Sequence, residues 1–211
     1  MKILISGFQP FGGEAINPSI EAVKRLPKEI DGHEVIGIEI PVEQYTSLKV
    51  LEEAIKMYQP DVVICVGQAG GRSAISVERI GINVDDYRIA DNAGNKPIDE
   101  AIVDDGPDAY FSTLPIKAIV SEIRKEGIPA EVSNSAGTYV CNHVMYGVSH
   151  MLRDTDIRSG FVHIPFLPQQ VSDKPQYASM TLEVIVQALT IMIQTTIHTK
   201  EDIKQSEGKL D

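Results

Sequence analysis

Two cysteines in this chain could act as nucleophiles, Cys65 and Cys141. Cys65 lies in the apolar run of residues 62–66, which predicts a buried strand, and a buried thiol behaves as a small hydrophobic group with a raised pKa. Cys141 follows the small residues 135–138 and falls in the first turn of a predicted helix. The positive end of a helix dipole favours a thiolate there, and free N–H groups can hold an oxyanion. Cys141 is therefore the candidate nucleophile, with a buried structural cysteine as the alternative.

Five histidines could supply the base for such a nucleophile. His143 lies on the same predicted helix as Cys141 but about 200° around its axis, so the two side chains diverge. His163 ends a short apolar strand just before Pro165, and active sites of α/β sheets collect at strand ends. None of the remaining histidines is favoured: His33 falls in a predicted turn, His150 points to the opposite side of the helix, and His198 lies near the tail. His163 is the candidate base.

A carboxylate completes this arrangement. Strand alternation over the predicted strand 75–84 places Glu78 on the same face as Ile80 and Ile82, where an unpaired charge is unfavourable. An imidazole that carries a proton during turnover would satisfy this carboxylate, which in turn would fix the tautomer of the ring. A salt bridge from Glu78 to an arginine is the alternative interpretation.

Metal binding is a weaker interpretation of the same residues. Cys141 and His143 are separated by one residue and could both be ligands, but no third and fourth ligand follow at a suitable spacing. We expect neither a metal ion nor a cofactor.

The elements that position these residues alternate between strands and helices. Apolar runs predict strands at residues 2–6, 35–40, 61–66, 75–84, 130–133 and 160–164. Helical periodicity, capping residues and Pro60 predict helices starting at 17–18 and spanning 48–58, 115–126, 138–152 and 182–193. The chain is thus predicted to form one α/β domain over residues 1–211, a three-layer α/β/α structure around a twisted, largely parallel or mixed sheet. Residues from about 199 onward form a polar, frayed tail in this prediction.

Two loops are predicted to lie near the site. Residues 85–113 lack clear periodicity, and a loop of that length in a compact domain is usually functional, so we expect it to border the pocket. Residues 7–13 form a glycine-rich loop between a strand and a helix, but they match neither a Walker A motif nor Gly-x-Gly-x-x-Gly. Phe8 and Phe11 in this loop either fill the core or line an apolar pocket.

Composition excludes several classes of function. The formal charge of −11, from 19 basic and 30 acidic residues, disfavours nucleic-acid binding. No apolar run approaches the roughly 20 residues of a membrane-spanning helix, and no secretory leader is recognisable. Two cysteines in this arrangement suggest no disulfide framework, which fits a reducing cytoplasm.

Several motifs together resemble those of one family. They occupy residues 7–13, 17–18, 67–72, 77–79, 135–142 and 163–165. Spread over nearly the whole chain, they resemble the motifs of the pyrrolidone-carboxylate peptidases, also called type I pyroglutamyl peptidases. The resemblance implies a cysteine exopeptidase that removes N-terminal pyroglutamyl residues from peptides through a thioester, with Cys141, His163 and Glu78 as its triad.

The resemblance also implies substrate contacts and an assembly. Phe8 and Phe11 would enclose the pyroglutamyl ring, Asn17 and the backbone near Gln68 would contact the substrate, and Arg88 would stand near the reacting carbonyl. Members of the family are typically cytoplasmic homotetramers. Two other functions stay open: a thiol amidase with a different pocket, and a non-catalytic domain that cradles a small molecule or phosphate with its glycine loops.

Overall fold

A computed structural model describes residues 1–208 of the chain. Seven strands form one sheet in the order β2-β3-β1-β4-β9-β5-β8, and β6 and β7 form a separate two-stranded sheet. The strands are β1 (Lys2–Phe8), β2 (Glu29–Ile30), β3 (His33–Ile40), β4 (Val62–Gln68), β5 (Ile75–Glu78), β6 (Ile80–Ile82), β7 (Ala109–Phe111), β8 (Ala130–Ser133) and β9 (Arg158–Ile164).

The seven-stranded sheet is mixed. Its centre is parallel, with β1 between β3 and β4, and β9 beside β4. The β5 strand is parallel to β8 but antiparallel to β9, and β2 is antiparallel to β3. The predicted α/β class with a largely parallel or mixed sheet is therefore confirmed.

Five helices cover both faces of this sheet. Helices α1, α3 and α5 bury apolar side chains on one face, and α2 and α4 bury theirs on the other. The helices are α1 (Pro18–Arg25), α2 (Gln44–Tyr58), α3 (Ile116–Lys125), α4 (Val140–Leu152) and α5 (Leu182–His198). A short 3-10 helix, Pro168–Gln170, follows β9. Alternation along β4 sends Val66 to the α1 face and Cys65 to the α4 face, so each cluster receives every second residue.

The predicted strand 75–84 is wrong in one respect. The main sheet loses this strand after Glu78, and the chain resumes as β6 in the smaller sheet. At Arg79 the backbone N–H still donates to Ser133 O, whereas the carbonyl accepts from Ser112 N and so turns the chain toward β7. The alternation that placed Glu78 beside Ile80 and Ile82 does not continue through this break.

Two other local expectations are also corrected. The segment 85–113 was expected to lack regular structure, yet it contains β7, whose pairing partner β6 lies outside the segment. His33 was expected in a turn, but the turn ends at Gly32, which has a φ of +78°, and His33 begins β3. The first error arises because the short β7 is set by its partner rather than by its own periodicity. The second arises because β3 begins before the predicted strand, where His33 pairs with Ile30 of β2.

Residues 199–208 lie outside any helix or strand but contact the domain. The carboxylate of Asp202 accepts hydrogen bonds from the backbone N–H groups of Lys117 and Ala118 at the start of α3. Glu207 forms an ion pair with Arg124. The predicted tail continues to residue 211, and residues 209–211 lie outside the described part. Among residues 1–208, none of the helices combines the length and apolar character needed to cross a bilayer.

Candidate active site

Cys141 is the second residue of α4 and lies over the carboxyl ends of the central strands. The N-cap of this helix is Tyr139, whose side chain makes no capping hydrogen bond. The N–H groups of the first turn of a helix have no partner within the helix, and here no cap side chain takes them. They are suitable donors for an oxyanion next to the thiol.

His163 and Glu78 form a buried pair on neighbouring strands. His163 Nδ1 lies 2.7 Å from Glu78 Oε1, and the side chains are 5% and 0% exposed. In β9, Val162 and Ile164 face the α1 side, so His163 faces α4, as does Phe161. An Nδ1–H donated to the carboxylate leaves Nε2 of a neutral imidazole free to accept a proton.

A glycine brings the thiol close to the histidine. Gly67 is the register partner of His163 in the β4–β9 pair. A Cβ atom at Gly67 would lie 3.0 Å from Cys141 Sγ and 2.8 Å from Phe161 Cζ. The thiol can lie this close to β4 because residue 67 has no side chain. It therefore lies beside the strand that carries His163. The structure thus brings together all three residues selected from the sequence, Cys141, His163 and Glu78.

Arg72 is a site residue that sequence reasoning did not assign. Its NH1 donates to Glu78 Oε1 over 2.7 Å, and its NH2 donates to Ser135 O over 3.3 Å. The carboxylate therefore pairs with His163 and with an arginine at once, so the two interpretations of Glu78 are both realised. The signal was present in the motif 67–72, but sequence spacing did not show where this guanidinium would point.

The charges of the site act differently on its two acids. Burial raises the pKa of Glu78, but the hydrogen bond and charge of His163 and the charge of Arg72 outweigh burial, and the net pKa is lowered. Burial raises the pKa of the Cys141 thiol to about 12, Glu78 adds to this rise and Arg72 opposes it. Burial thus opposes the effect of the helix end, which was expected to favour the thiolate, and a base close to the thiol would take up its proton.

A small cavity opens beside Cys141. Its volume is about 40 Å³, room for roughly three water molecules. Phe8, at 2% exposure, and the partly exposed Phe11 both line it, so these phenylalanines belong to the wall of a cavity as well as to the apolar cluster under α4. Its complete lining is Phe8, Phe11, Asn17, Val42, Gln68, Tyr139, Val140 and Cys141.

Asn17 lines the cavity, but both polar atoms of its side-chain amide form hydrogen bonds within the protein. As the N-cap of α1, its Oδ1 accepts from Ser19 N and from Ser19 Oγ. Its Nδ2 donates to Gln9 O over 3.0 Å, and Ser19 Oγ in turn accepts from Phe8 N. Asn17 therefore holds the loop that carries the phenylalanines.

Gln68 lines the cavity at the end of β4. Ala69 N donates to Ile164 O on the β9 side. Because backbone groups of successive strand residues point to opposite sides, the N–H and C=O of Gln68 point toward β1. The β1–β4 pairing ends at Gly7 and Val66, so the backbone N–H and C=O of Gln68 lie beyond the last pair. The Gln68 side chain accepts from Gln170 Nε2 over 2.9 Å.

Arg88 is exposed and is not among the residues that line the cavity. The segment that carries it reaches the site through Tyr139, whose hydroxyl donates to Ala90 O over 3.2 Å and whose ring lies 4.7 Å from that of Tyr87. The place of Arg88 beside a reacting carbonyl stays a prediction. Within residues 1–208, no group of three or more His, Cys, Asp or Glu side chains is arranged to hold a metal ion.

Comparison with known proteins assigns the chain to a family. A family model described as pyroglutamyl peptidase matches residues 1–199. The chain belongs to the pyroglutamyl peptidase family. It is 59% identical to a pyrrolidone-carboxylate peptidase of Finegoldia magna and 54% identical to one of Vibrio campbellii, each match covering 99% of both chains.

Solved structures of pyroglutamyl peptidases share the fold along nearly the whole chain. The crystal structure of pyroglutamyl peptidase I from Bacillus amyloliquefaciens superposes with a TM-score of 0.95 at 50% identity, covering 97% of this chain and 99% of that one. A pyrrolidone carboxyl peptidase from Thermococcus litoralis gives a TM-score of 0.94 at 38% identity, with the same coverage. The family and the enzyme class expected from the sequence motifs are confirmed, and the non-catalytic binding domain is no longer an alternative.

Proposed function

We propose that this protein hydrolyses the peptide bond after an N-terminal pyroglutamyl residue, with Cys141 as nucleophile, His163 as base and Glu78 as the group that orients the base. The observation that carries this proposal is the small cavity that Phe8, Phe11 and Cys141 line together. An acyl group held there has its carbonyl next to Cys141. Of the two cysteines in residues 1–208, Cys141 is partly exposed and Cys65 is buried.

The chemistry follows from the pair and the helix end. His163 Nε2 takes the thiol proton as Sγ attacks the carbonyl carbon, and first-turn N–H groups of α4 hold the oxyanion. The carbon–nitrogen bond then breaks, and the amine leaves with the proton from His163. Water attacks the thioester, His163 accepts a proton from it, and pyroglutamate is released with the thiol restored. A base is needed because the thiol is protonated at neutral pH, its pKa being raised to about 12.

The cavity suits a lactam better than a charged amino terminus. The pyroglutamyl ring carries no charge, and its adjacent N–H and C=O lie on the same edge. The C=O and N–H of Gln68, which point toward β1, complement that edge with two backbone hydrogen bonds, while the phenyl rings cover the faces of the ring. Asn17 supports this wall, and the family resemblance implies that Arg88 stands near the reacting carbonyl.

Cleavage of pyroglutamyl-anilide by the purified, reduced protein tests the proposal, with prolyl- and glutaminyl-anilide as competing substrates and Cys141→Ser as control. We expect selective cleavage of the pyroglutamyl compound and a loss of about 10³-fold or more in Cys141→Ser, which lacks the reactive sulfur. Cleavage of glutaminyl-anilide at an equal rate would instead establish a broader thiol amidase. Absence of any cleavage by folded protein would refute the peptidase assignment.

We further propose a cytoplasmic homotetramer, which the family resemblance supports. Light scattering on the purified protein measures the mass directly. A mass near that of four 23.1 kDa chains is expected, and a monomer at micromolar concentration would contradict it.

A further inference from the structure

Arg72 occupies a position that the Cys–His–Glu mechanism does not use. It lies in the loop after β4, and its guanidinium makes a 2.7 Å ion pair with Glu78, which is fully buried. The arginine side chain itself is 27% exposed, so one face of it remains in contact with water. It is the one arginine or lysine paired with Glu78 among the described residues.

The loop is built to hold this side chain in place. Gly71 adopts a left-handed φ of +91°, and Arg72 N donates to Ala69 O to close the turn. At Gly70 an added Cβ would approach the Phe166 ring to 2.4 Å. Glycine is thus required at both positions, one for the turn and one for the packing, and the turn directs Arg72 toward Glu78.

Arg72 joins all three parts of the site. Through Glu78 Oε1 it shares the oxygen that accepts from His163 Nδ1. Through Ser135 O it contacts the segment that leads into α4 and Cys141. The titratable or charged groups at Glu78 are therefore His163 from β9, Arg72 from this loop and Cys141 across the site.

We propose that Arg72 is a positioning residue of the active site, which keeps Glu78 ionised and oriented toward His163 and fixes the approach of the Cys141 segment to that pair. This inference rests on the proposed function. A carboxylate fully buried beside an imidazole would otherwise be disfavoured as an anion. The guanidinium stabilises this anion through the bond from NH1 to Oε1, and the bond from NH2 to Ser135 O holds the guanidinium in place. The charge of Arg72 also favours deprotonation of Cys141.

The test compares Arg72→Met and Arg72→Lys with wild type in pyroglutamyl-anilide cleavage as a function of pH. Arg72→Met should lower kcat by about 10- to 100-fold with KM changed by less than about threefold, since the group acts on the triad and not on the ring pocket. Because Arg72 lowers the pKa of Glu78, its removal raises that pKa, and the acid limb of the kcat profile should move to higher pH. Arg72→Lys should restore part of both.

A matched control removes an arginine remote from the site. Arg124 on α3 makes a 2.7 Å ion pair with Glu207 and donates to Ala130 O, so Arg124→Met makes the same change of charge outside the site. Its pH profile should equal that of wild type. If Arg72→Met lowers the melting temperature but leaves kcat within threefold and the acid limb unmoved, Arg72 is only structural and the proposal is overturned. Arg72→Gln replaces Arg72→Met if that variant does not fold.

Alkylation of Cys141 by iodoacetamide, measured in a Cys65→Ser background, separates this inference from the proposed function. Arg72 lowers the pKa of Cys141, so Arg72→Met should slow alkylation by about threefold or more at a fixed pH below that pKa. This readout needs no substrate. Failure of the wild type to cleave pyroglutamyl-anilide would refute the proposed function alone, whereas equal alkylation rates in Arg72→Met and wild type would refute the role of Arg72.

Discussion

Residues 1–208 contain two buried histidine–carboxylate pairs of almost identical geometry. His163 Nδ1 lies 2.7 Å from Glu78 Oε1, and His143 Nδ1 lies 2.7 Å from Asp85 Oδ2. No side chain of either pair is more than 5% exposed. Distance and burial therefore do not distinguish the pair in the candidate active site from the other one.

The surroundings of the pairs differ. Glu78 also receives a guanidinium from Arg72. The carboxylate of Asp85 instead accepts from the neutral amide of Gln44 over 3.0 Å, and no arginine or lysine among residues 1–208 forms an ion pair with it. His163 lies opposite Gly67, where the Cys141 thiol sits, whereas Nε2 of His143 is buried without a hydrogen-bond partner in the described residues. A histidine–carboxylate pair becomes catalytic through the nucleophile and the charge placed around it.

The second pair has a structural role in this comparison. Asp85 exchanges backbone hydrogen bonds with Glu100, and its side chain reaches both Gln44 at the start of α2 and His143 on α4. It thereby fastens the segment that follows β6 to the two helices on the catalytic face. Breaking it should cost stability rather than chemistry.

Replacing the two carboxylates one at a time gives the largest expected contrast. Glu78→Gln should lower kcat by about 10³-fold, because the amide no longer fixes the His163 tautomer or stabilises its protonated form. Asp85→Asn should leave kcat within about threefold while lowering the free energy of unfolding by about 1–3 kcal/mol, since a buried hydrogen bond is weakened. Anilide kinetics and urea unfolding measure the two effects. A comparable loss of kcat in both variants, with the fold intact, would show that the pairs are not functionally distinct.

A smaller effect is expected from Gly67, which leaves room for the thiol beside the His163–Glu78 pair and has no counterpart in the comparison of the second pair. Gly67→Ala places a methyl group 3.0 Å from Cys141 Sγ and should displace the thiol, lowering kcat by about tenfold or more. Gly37→Ala is the matched control. Gly37 lies in β3, remote from Cys141, and a Cβ there would lie 2.8 Å from Val23 Cγ1. Both variants should lose some stability, and only Gly67→Ala should lose activity. Equal kcat in the two variants would show that the absence of a side chain at residue 67 does not control the position of the thiol.

The smallest signal concerns the resting state of the thiol. With its pKa raised to about 12, Cys141 should be alkylated by iodoacetamide at a rate that keeps rising up to pH 10, by about tenfold per pH unit. Cys65, whose pKa burial also raises to about 12, is removed as Cys65→Ser so that only one thiol reports. A plateau of the rate below pH 8 would indicate a preformed thiolate and a stronger effect of the α4 end than of burial.

Much of this site was predictable because its residues sit at recognisable ends of elements. Cys141 follows a run of small residues before a helix, and His163 ends an apolar strand before a proline. The break after Glu78 was not predictable from alternation, because it depends on Arg79 accepting from Ser112 in a segment far along the chain. Likewise, nothing in its local sequence pairs Asp85 with His143, 58 positions away.

Local patterns in the sequence predict the alternation of strands and helices, the place of Cys141 in the first turn of α4 and the motifs of the family, because capping, periodicity and small residues act locally. Three further properties follow from the fold: Arg72 joins Glu78, Gly67 leaves room for the thiol, and burial raises the pKa of Cys141. These properties depend on which strands become neighbours, such as β5 beside β9, where Glu78 meets a histidine 85 positions away. Distance along the chain carries no information about such contacts, whereas desolvation and charge act through space.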